Sequence, residues 1–207
     1  MLLLPSMDIT VSALCYQPEV GFVWRGQWWE RLLYHSLAPL VVIVTSGLIV
    51  FWLVNRWRVR RQLPPYCGFF SRHLVLLLLL LALVPGLLVN TILKPQIGRA
   101  RPIEIIQFGG EHQFTPAFVR SNQGGHSFSS GHAASAAYLV AVAVVLFGSK
   151  SPWVALALVY ALLIGVVRII AGGHFLSDVL VSGWLVWVGY WMLRCWVSGR
   201  CDHHSSK

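Results

Sequence analysis

Charge is scarce in this 207-residue chain: Asp, Glu, Lys and Arg make up 11% of it, where a soluble domain carries roughly 25%. That shortage excludes an ordinary soluble domain and points to a chain held largely in lipid. Acidic residues are the scarcest, seven against sixteen Lys and Arg, for a net charge of +9. The excess does not argue for nucleic acid, because the basic residues flank apolar runs, as membrane topology requires. Four cysteines are present and none has C-x-x-C spacing, so no disulfide framework is expected. There is no internal repeat, and no low-complexity stretch beyond a run of leucines. The first 36 residues have neither the basic n-region nor the long h-region of a signal peptide.

What is abundant is apolar: 57% of residues are hydrophobic, with ten Trp and six Tyr to supply interfacial belts. A spanning helix needs about 20 mostly apolar residues. Five stretches qualify, 37–54, 74–93, 133–148, 153–170 and 175–196, and they predict an all-α polytopic transmembrane bundle. Pro85 lies within the second and is tolerable, since neighbouring helices can satisfy the carbonyl it frees. Residues 1–36 read as an interfacial segment with Trp24, Trp28 and Trp29 at headgroup depth, 37–197 as the transmembrane domain, and 198–207 as a cytoplasmic tail. The cluster "NRWRVRRQ" places the 55–73 connection in the cytoplasm by the positive-inside rule. The long 94–132 connection and the short 171–174 link then share the opposite face. Cys15 alone of the four cysteines falls on that face.

Three polar clusters converge there. "KPQIGRARP" carries Lys94 and Arg101 on the side that should be poor in cations. "SSGHAA" sets Ser130, Gly131 and His132 where a loop becomes a helix. Backbone N–H groups at such a point suit an anion, the Ser130 hydroxyl can add to them, and Gly131 admits a close approach. The plainer reading is a Ser N-cap. "VVRIIAGGHFLSDVL" carries Arg168, His174 and Asp178 within eleven apolar-rich positions. Asp178 follows His174 by four, so its carboxylate is expected to accept from Nδ1–H, fix the tautomer and raise the basicity of Nε2. Ionisable groups inside membrane helices are functional by default. Three cations suit a phosphoryl group, whose charge is spread over its oxygens, and one imidazole can attack while the other protonates the leaving group.

These motifs resemble those of the type 2 phosphatidic acid phosphatase (PAP2) superfamily, K-x6-RP, PSGH and SR-x5-H-x3-D. "KPQIGRARP" matches the first fully, "SSGH" has Ser129 in place of Pro, and "VRIIAGGHFLSD" has Val167 in place of Ser. The resemblance implies a membrane lipid phosphatase with its site on the extracytoplasmic face of the bacterial inner membrane, needing no metal or cofactor. It makes His174 the nucleophile, Asp178 its activator, and His132 the general acid and then base. Lys94, Arg101, Arg168, Ser130 and the Gly131 amide would hold the phosphate. A carboxylate set for Mg²⁺ is not evident, since only Glu104 and Glu111 lie near. The wider pattern "GRARP…FGG…FTPAF…SNQ…SFSSGHAA" is similar to the branch containing lipid A phosphatases and phosphotransferases. "FGGEHQFTPAF" reads either as a headgroup-receiving surface or as a plain interfacial loop. The family core has six spans against five here, so either a helix before residue 1 or the loss of the first helix is expected, with "MLLLP" as its remnant.

The substrate expected is a membrane lipid phosphate monoester or diphosphate. The alternatives are a lipid A phosphotransferase using a polyprenyl diphosphate donor, an undecaprenyl diphosphate phosphatase, and a non-catalytic lipid-binding or transport protein. The last predicts loss of His132, His174 or Asp178, and all three are present. His112, His126 and the tail "CDHHSSK" are read as solvated, and the oligomeric state is left open.

Overall fold

The computed structural model describes residues 4–66 and 71–198. Residues 1–3, 67–70 and 199–207 lie outside it, and with them "MLL" of the expected remnant and all of the tail but Ser198. The described chain is helical, as the apolar runs require. With no water in the hydrocarbon layer, each backbone polar group must bond within its own segment. A short helix α1 (Leu4–Ala13) leads into a two-stranded antiparallel hairpin, β1 (Tyr16–Gln17) and β2 (Gly21–Phe22). Helix α2 then runs unbroken over Trp28–Arg60. It begins well before the expected residue 37, so the anticipated 36/37 boundary falls inside a helix. The charged start of α2 continues helically because Glu30 suits the positive N-terminal end of the helix dipole.

The second apolar run forms α3 (Ser71–Leu81), a π-helical segment (Ala82–Leu93) and the turn α4 (Lys94–Ile97) in succession. Pro85 supplies no N–H, and its ring crowds the preceding turn. The wider π winding accommodates it, and side chains complete the bonding at the same wider spacing. Asn90 Nδ2 donates to the Pro85 carbonyl at 2.7 Å, and Thr91 Oγ1 to that of Gly86 at 3.2 Å. A loop of short 3₁₀ turns leads to α5 (Gly131–Phe147), α6 (Pro152–Ile170) and α7 (Leu176–Ser198).

Among the described residues four helical stretches, Trp28–Arg60, Ser71–Glu104, Pro152–Ile170 and Leu176–Val197, are long and apolar enough to cross a membrane. The fifth expected span, α5, is shorter at 17 residues and sits in the middle, packed on α6, α7 and α3. Its Ala134, Ala136 and Tyr138 are fully buried, with Leu77, Leu80 and Ile164 around them. Small residues there let helices approach closely, which packing in lipid favours. Outward-facing side chains stay apolar, among them Leu156, Leu162 and Val166 of α6 and Trp184, Trp187 and Trp191 of α7. The chain is therefore built as an integral membrane protein.

The C-terminal ends of the π-segment and α6 meet the N-terminal ends of α2, α5 and α7 at one end of the bundle. The loop and the N-terminal hairpin cover that end through a second core of Phe22, Ala100, Ile105, Phe108 and Phe175. Residues 1–36 therefore do more than lie at an interface: Asp8 and Ser12 of α1 are buried, and α1 packs on α7. Part of "FGGEHQFTPAF" is core as well. Phe108 is buried, and Phe114 sets its edge against Phe175 at 5.3 Å. Phe118 remains exposed.

Candidate active site

The three motifs meet at this covered end. Lys94 follows the π-segment, and its Nζ donates to Asn90 Oδ1 at 2.6 Å. Asn90 also touches the start of α5, where a Cβ on Gly131 would fall 2.6 Å from Asn90 Oδ1. The space that Gly131 leaves open is thus used by this carboxamide. Ser130 is the N-cap of α5, its Oγ accepting from the Ala133 N–H at 3.3 Å, so the plainer reading of this serine holds. The hydroxyl hydrogen is left free to donate. Two residues on, His132 stacks on Tyr34 of α2, with ring centroids 4.4 Å apart and planes 21° from parallel. The Arg168 guanidinium lies 4.7 Å from the centre of the same Tyr34 ring.

Arg168 ends α6, and its carbonyl accepts from the N–H groups of Gly173 and His174 at 3.0 and 3.1 Å. Gly173 leaves room for the Arg168 guanidinium, since a Cβ there would sit 2.3 Å from it and push it aside. The first motif is tied to this turn by Ile103 N–H donating to the Gly172 carbonyl at 3.2 Å. His132 feels the charges of Arg168, His174, Lys94 and His35, and Lys94 those of Arg101 and Arg168. The candidate residues thus share one electrostatic environment.

The expected bond between His174 and Asp178 is replaced. His174 lies in the turn before α7, so the helix-face argument for the pair does not apply. Its Nδ1 meets the Ser127 carbonyl at 2.7 Å, and Asp178 Oδ2 is 3.8 Å away. A carbonyl only accepts, so Nδ1 carries the hydrogen and Nε2 keeps its lone pair. Asp178 acts around the ring instead. Its Oδ2 accepts from Ser127 Oγ at 2.6 Å and from the Phe175 N–H at 2.8 Å, bracing both sides of the imidazole. Burial holds the His174 pKa below its ordinary value, against the opposing pull of Asp178.

Two residues that the sequence reading did not single out, Arg99 within the first motif and Asp8 of α1, complete this centre. Arg99, wholly buried, donates to Asp178 Oδ1, to Ser177 Oγ at 2.9 Å, to the Thr115 carbonyl at 2.7 Å and to Asp8 Oδ2 at 2.8 Å. Asp8 also accepts from the Ser177 N–H at 2.8 Å. A cation buried among apolar groups persists only when paired and hydrogen-bonded. The contrast with the other cations is informative. Among the described residues Lys94, Arg101 and Arg168 have no carboxylate within ion-pair distance, and the Nε atoms of Arg101 and Arg168 are buried without a partner. Arg99 is a structural cation, and those three are unpaired and available to an anion. The signals for the missed pair were an extra arginine inside K-x6-RP and a lone aspartate in an apolar segment.

His126 is exposed and His112 half-buried, neither at the centre. Cys15 and Cys195 are free thiols, and burial pushes that of Cys15 up from its ordinary value. Among the described residues no three His, Cys, Asp or Glu side chains gather into a metal-holding group.

Comparison with known proteins accords with this geometry. The lipid A 4'-phosphatase of Francisella tularensis subsp. novicida is 27% identical over 93% of this chain and 86% of its own length. That of Rhizobium leguminosarum is 42% identical over 49% of this chain and 44% of its own length. The crystal structure of a transmembrane PAP2-type phosphatidylglycerolphosphate phosphatase from Bacillus subtilis shares the fold, with a TM-score of 0.58, 24% identity, and 99% of this chain and 90% of that one covered. The PAP2 superfamily model matches residues 74–201, a span that carries all three motifs. With the motifs, the bundle and the family model in agreement, the chain belongs to the PAP2 superfamily, as an integral membrane protein.

Proposed function

We propose that this protein is a lipid phosphatase that hydrolyses a phosphate ester of a membrane lipid through a phosphohistidine on His174. A lipid A phosphate is the leading substrate, on the strength of the relative that aligns over 93% of the chain. The observation that carries the reading is the hydrogen bond from His174 Nδ1 to the Ser127 carbonyl. It leaves the Nε2 lone pair free beside three unpaired cations and a second imidazole.

In the first step Nε2 attacks phosphorus, a P–N bond forms and the P–O bond to the lipid breaks. His132, protonated, gives its proton to the departing oxygen. Lys94, Arg101 and Arg168 hold the phosphoryl oxygens as charge moves across them. Water then enters, His132 takes its proton, the water oxygen attacks phosphorus and the P–N bond breaks. Inorganic phosphate leaves and His174 is restored. Asp178 keeps the site rigid and offsets positive charge on His174. No resident metal has a role in this scheme.

The site faces away from the cytoplasm in this reading, in the inner membrane, because Arg56, Arg58, Arg60 and Arg61 cluster at the far end of α2. The test is phosphate release in detergent with EDTA present, offered a panel of lipid phosphates, for wild type and His174→Ala. Release that survives EDTA and vanishes in the variant is the expected result. Release that EDTA abolishes, or that His174→Ala retains, would overturn the scheme. Phosphate that moves only when an acceptor lipid is added would identify a phosphotransferase.

A further inference from the structure

Beside the catalytic centre lies a cavity of about 320 Å³ whose wall includes Arg25, Arg31, Tyr34, His35, Arg101 and Arg168. Arg101 and Arg168 belong to both spaces, so the cavity is an extension of the site toward the N-terminal segment. Its volume is at the low end for small-molecule sites, which run from about 300 Å³. Four guanidinium groups line it against one carboxylate, Glu30. That carboxylate accepts through its Oε2 from the N–H of Gly26, also in the wall, at 3.1 Å, and the four guanidinium groups leave the wall with an excess of positive charge. Among the described residues none of the four arginines forms an ion pair.

Three cations already serve the reacting phosphoryl group, so Arg25 and Arg31 are surplus to that need. Guanidinium groups offer planar, paired donors that match phosphate oxygens. Like charges crowded round a half-enclosed space repel one another, and an anion between them relieves the repulsion. The wall is polar: apart from Ile103 and Ala171, no apolar side chain lines it, so it does not suit an acyl chain.

We infer that this cavity is a subsite for a second phosphoryl group on the same lipid headgroup, held by Arg25 and Arg31 while the first reacts at His174. The inference rests on the phosphatase reading above and narrows its substrate class to headgroups with two phosphoryl groups. Those groups could be joined as a diphosphate or sit apart as two monoesters.

The test compares wild type with the double variant Arg25→Gln, Arg31→Gln in detergent micelles. Three substrates are used: a lipid with one phosphate monoester, a lipid with two separate monoesters, and a lipid diphosphate. The quantity read is kcat/KM for each doubly phosphorylated lipid divided by that for the singly phosphorylated one. A fall of about tenfold or more in that ratio, carried by KM, is expected for at least one of the two, since charge-assisted phosphate contacts are lost. The substrate that shows the fall tells which spacing the cavity fits. An unaltered ratio would overturn the subsite while leaving the phosphatase standing, whether rates fall equally on all three lipids or not at all. A wild type that releases phosphate from none of them would overturn the phosphatase reading and the subsite with it.

Discussion

Arg99 holds Asp178 from inside the protein, with neither side chain open to solvent. The ion pair fixes the carboxylate that braces the His174 turn, and Asp8 takes the remaining face of the guanidinium. Removing one member of such a buried set leaves an uncompensated charge, at a cost of about 3–5 kcal/mol. Arg99→Ala should therefore lower the thermal midpoint in detergent sharply and abolish phosphate release. Asp8→Asn should be milder, because Asp178 still pairs with Arg99. Equal midpoints for wild type and Arg99→Ala would refute this account of the network.

Asp178→Asn separates two roles. The His174 tautomer is set by the Ser127 carbonyl, so the variant keeps an attacking Nε2. It loses the negative charge that supports the phosphorylated or protonated ring. Activity should drop by roughly 10²–10⁴, the range for a supporting group in acid–base chemistry, while acid-quenched enzyme still traps some phosphohistidine. His174→Ala should trap none.

Burial lowers the His174 pKa from its ordinary 6.5. In the proposed scheme the neutral ring is the nucleophile, and it is lost as pH falls through the lowered value. The acid limb of kcat/KM assigned to His174 should therefore lie below about pH 6.5. A limb that vanishes in His174→Ala but sits above that value in wild type would contradict the assignment.

Tyr34 joins His132, the general acid of the proposed scheme, to Arg168, stacked on the one and lying under the other. Tyr34→Leu removes both aromatic contacts, each worth roughly 0.5–2 kcal/mol. A fall in kcat/KM of about tenfold is expected, with Tyr34→Phe near wild type. If Phe and Leu were equally damaging, the hydroxyl and not the ring would be the active part.

The bundle and the three motifs were legible because each is local. An apolar run of spanning length says helix in lipid, and Lys94, Arg101, His132, Arg168 and His174 sit at its ends on one face. The partners of Asp178 were not legible. Spacing suggested a bond to His174, but the chain leaves helical geometry at residues 171–175, and the Ser127 carbonyl, 47 positions away, takes the Nδ1 hydrogen. Arg99 could not be told from a phosphate ligand by sequence, since only its burial and two carboxylates mark it as structural. Pro85 promised a disturbed helix, but the choice of a π winding depends on donors at Asn90 and Thr91 that suit its spacing.

The bond between Asp8 and Ser177 joins positions 169 apart. Its two ends leave the ribosome at nearly opposite times, so the centre cannot be assembled while the chain is being made. Every helix between them must already be threaded, and α1 must wait on the same side as the start of α7. A topology error anywhere in the bundle would part Asp8 from Arg99 and Asp178. This one buried contact thus forms only in molecules whose α1 and whose start of α7 have come to the same side of the bilayer.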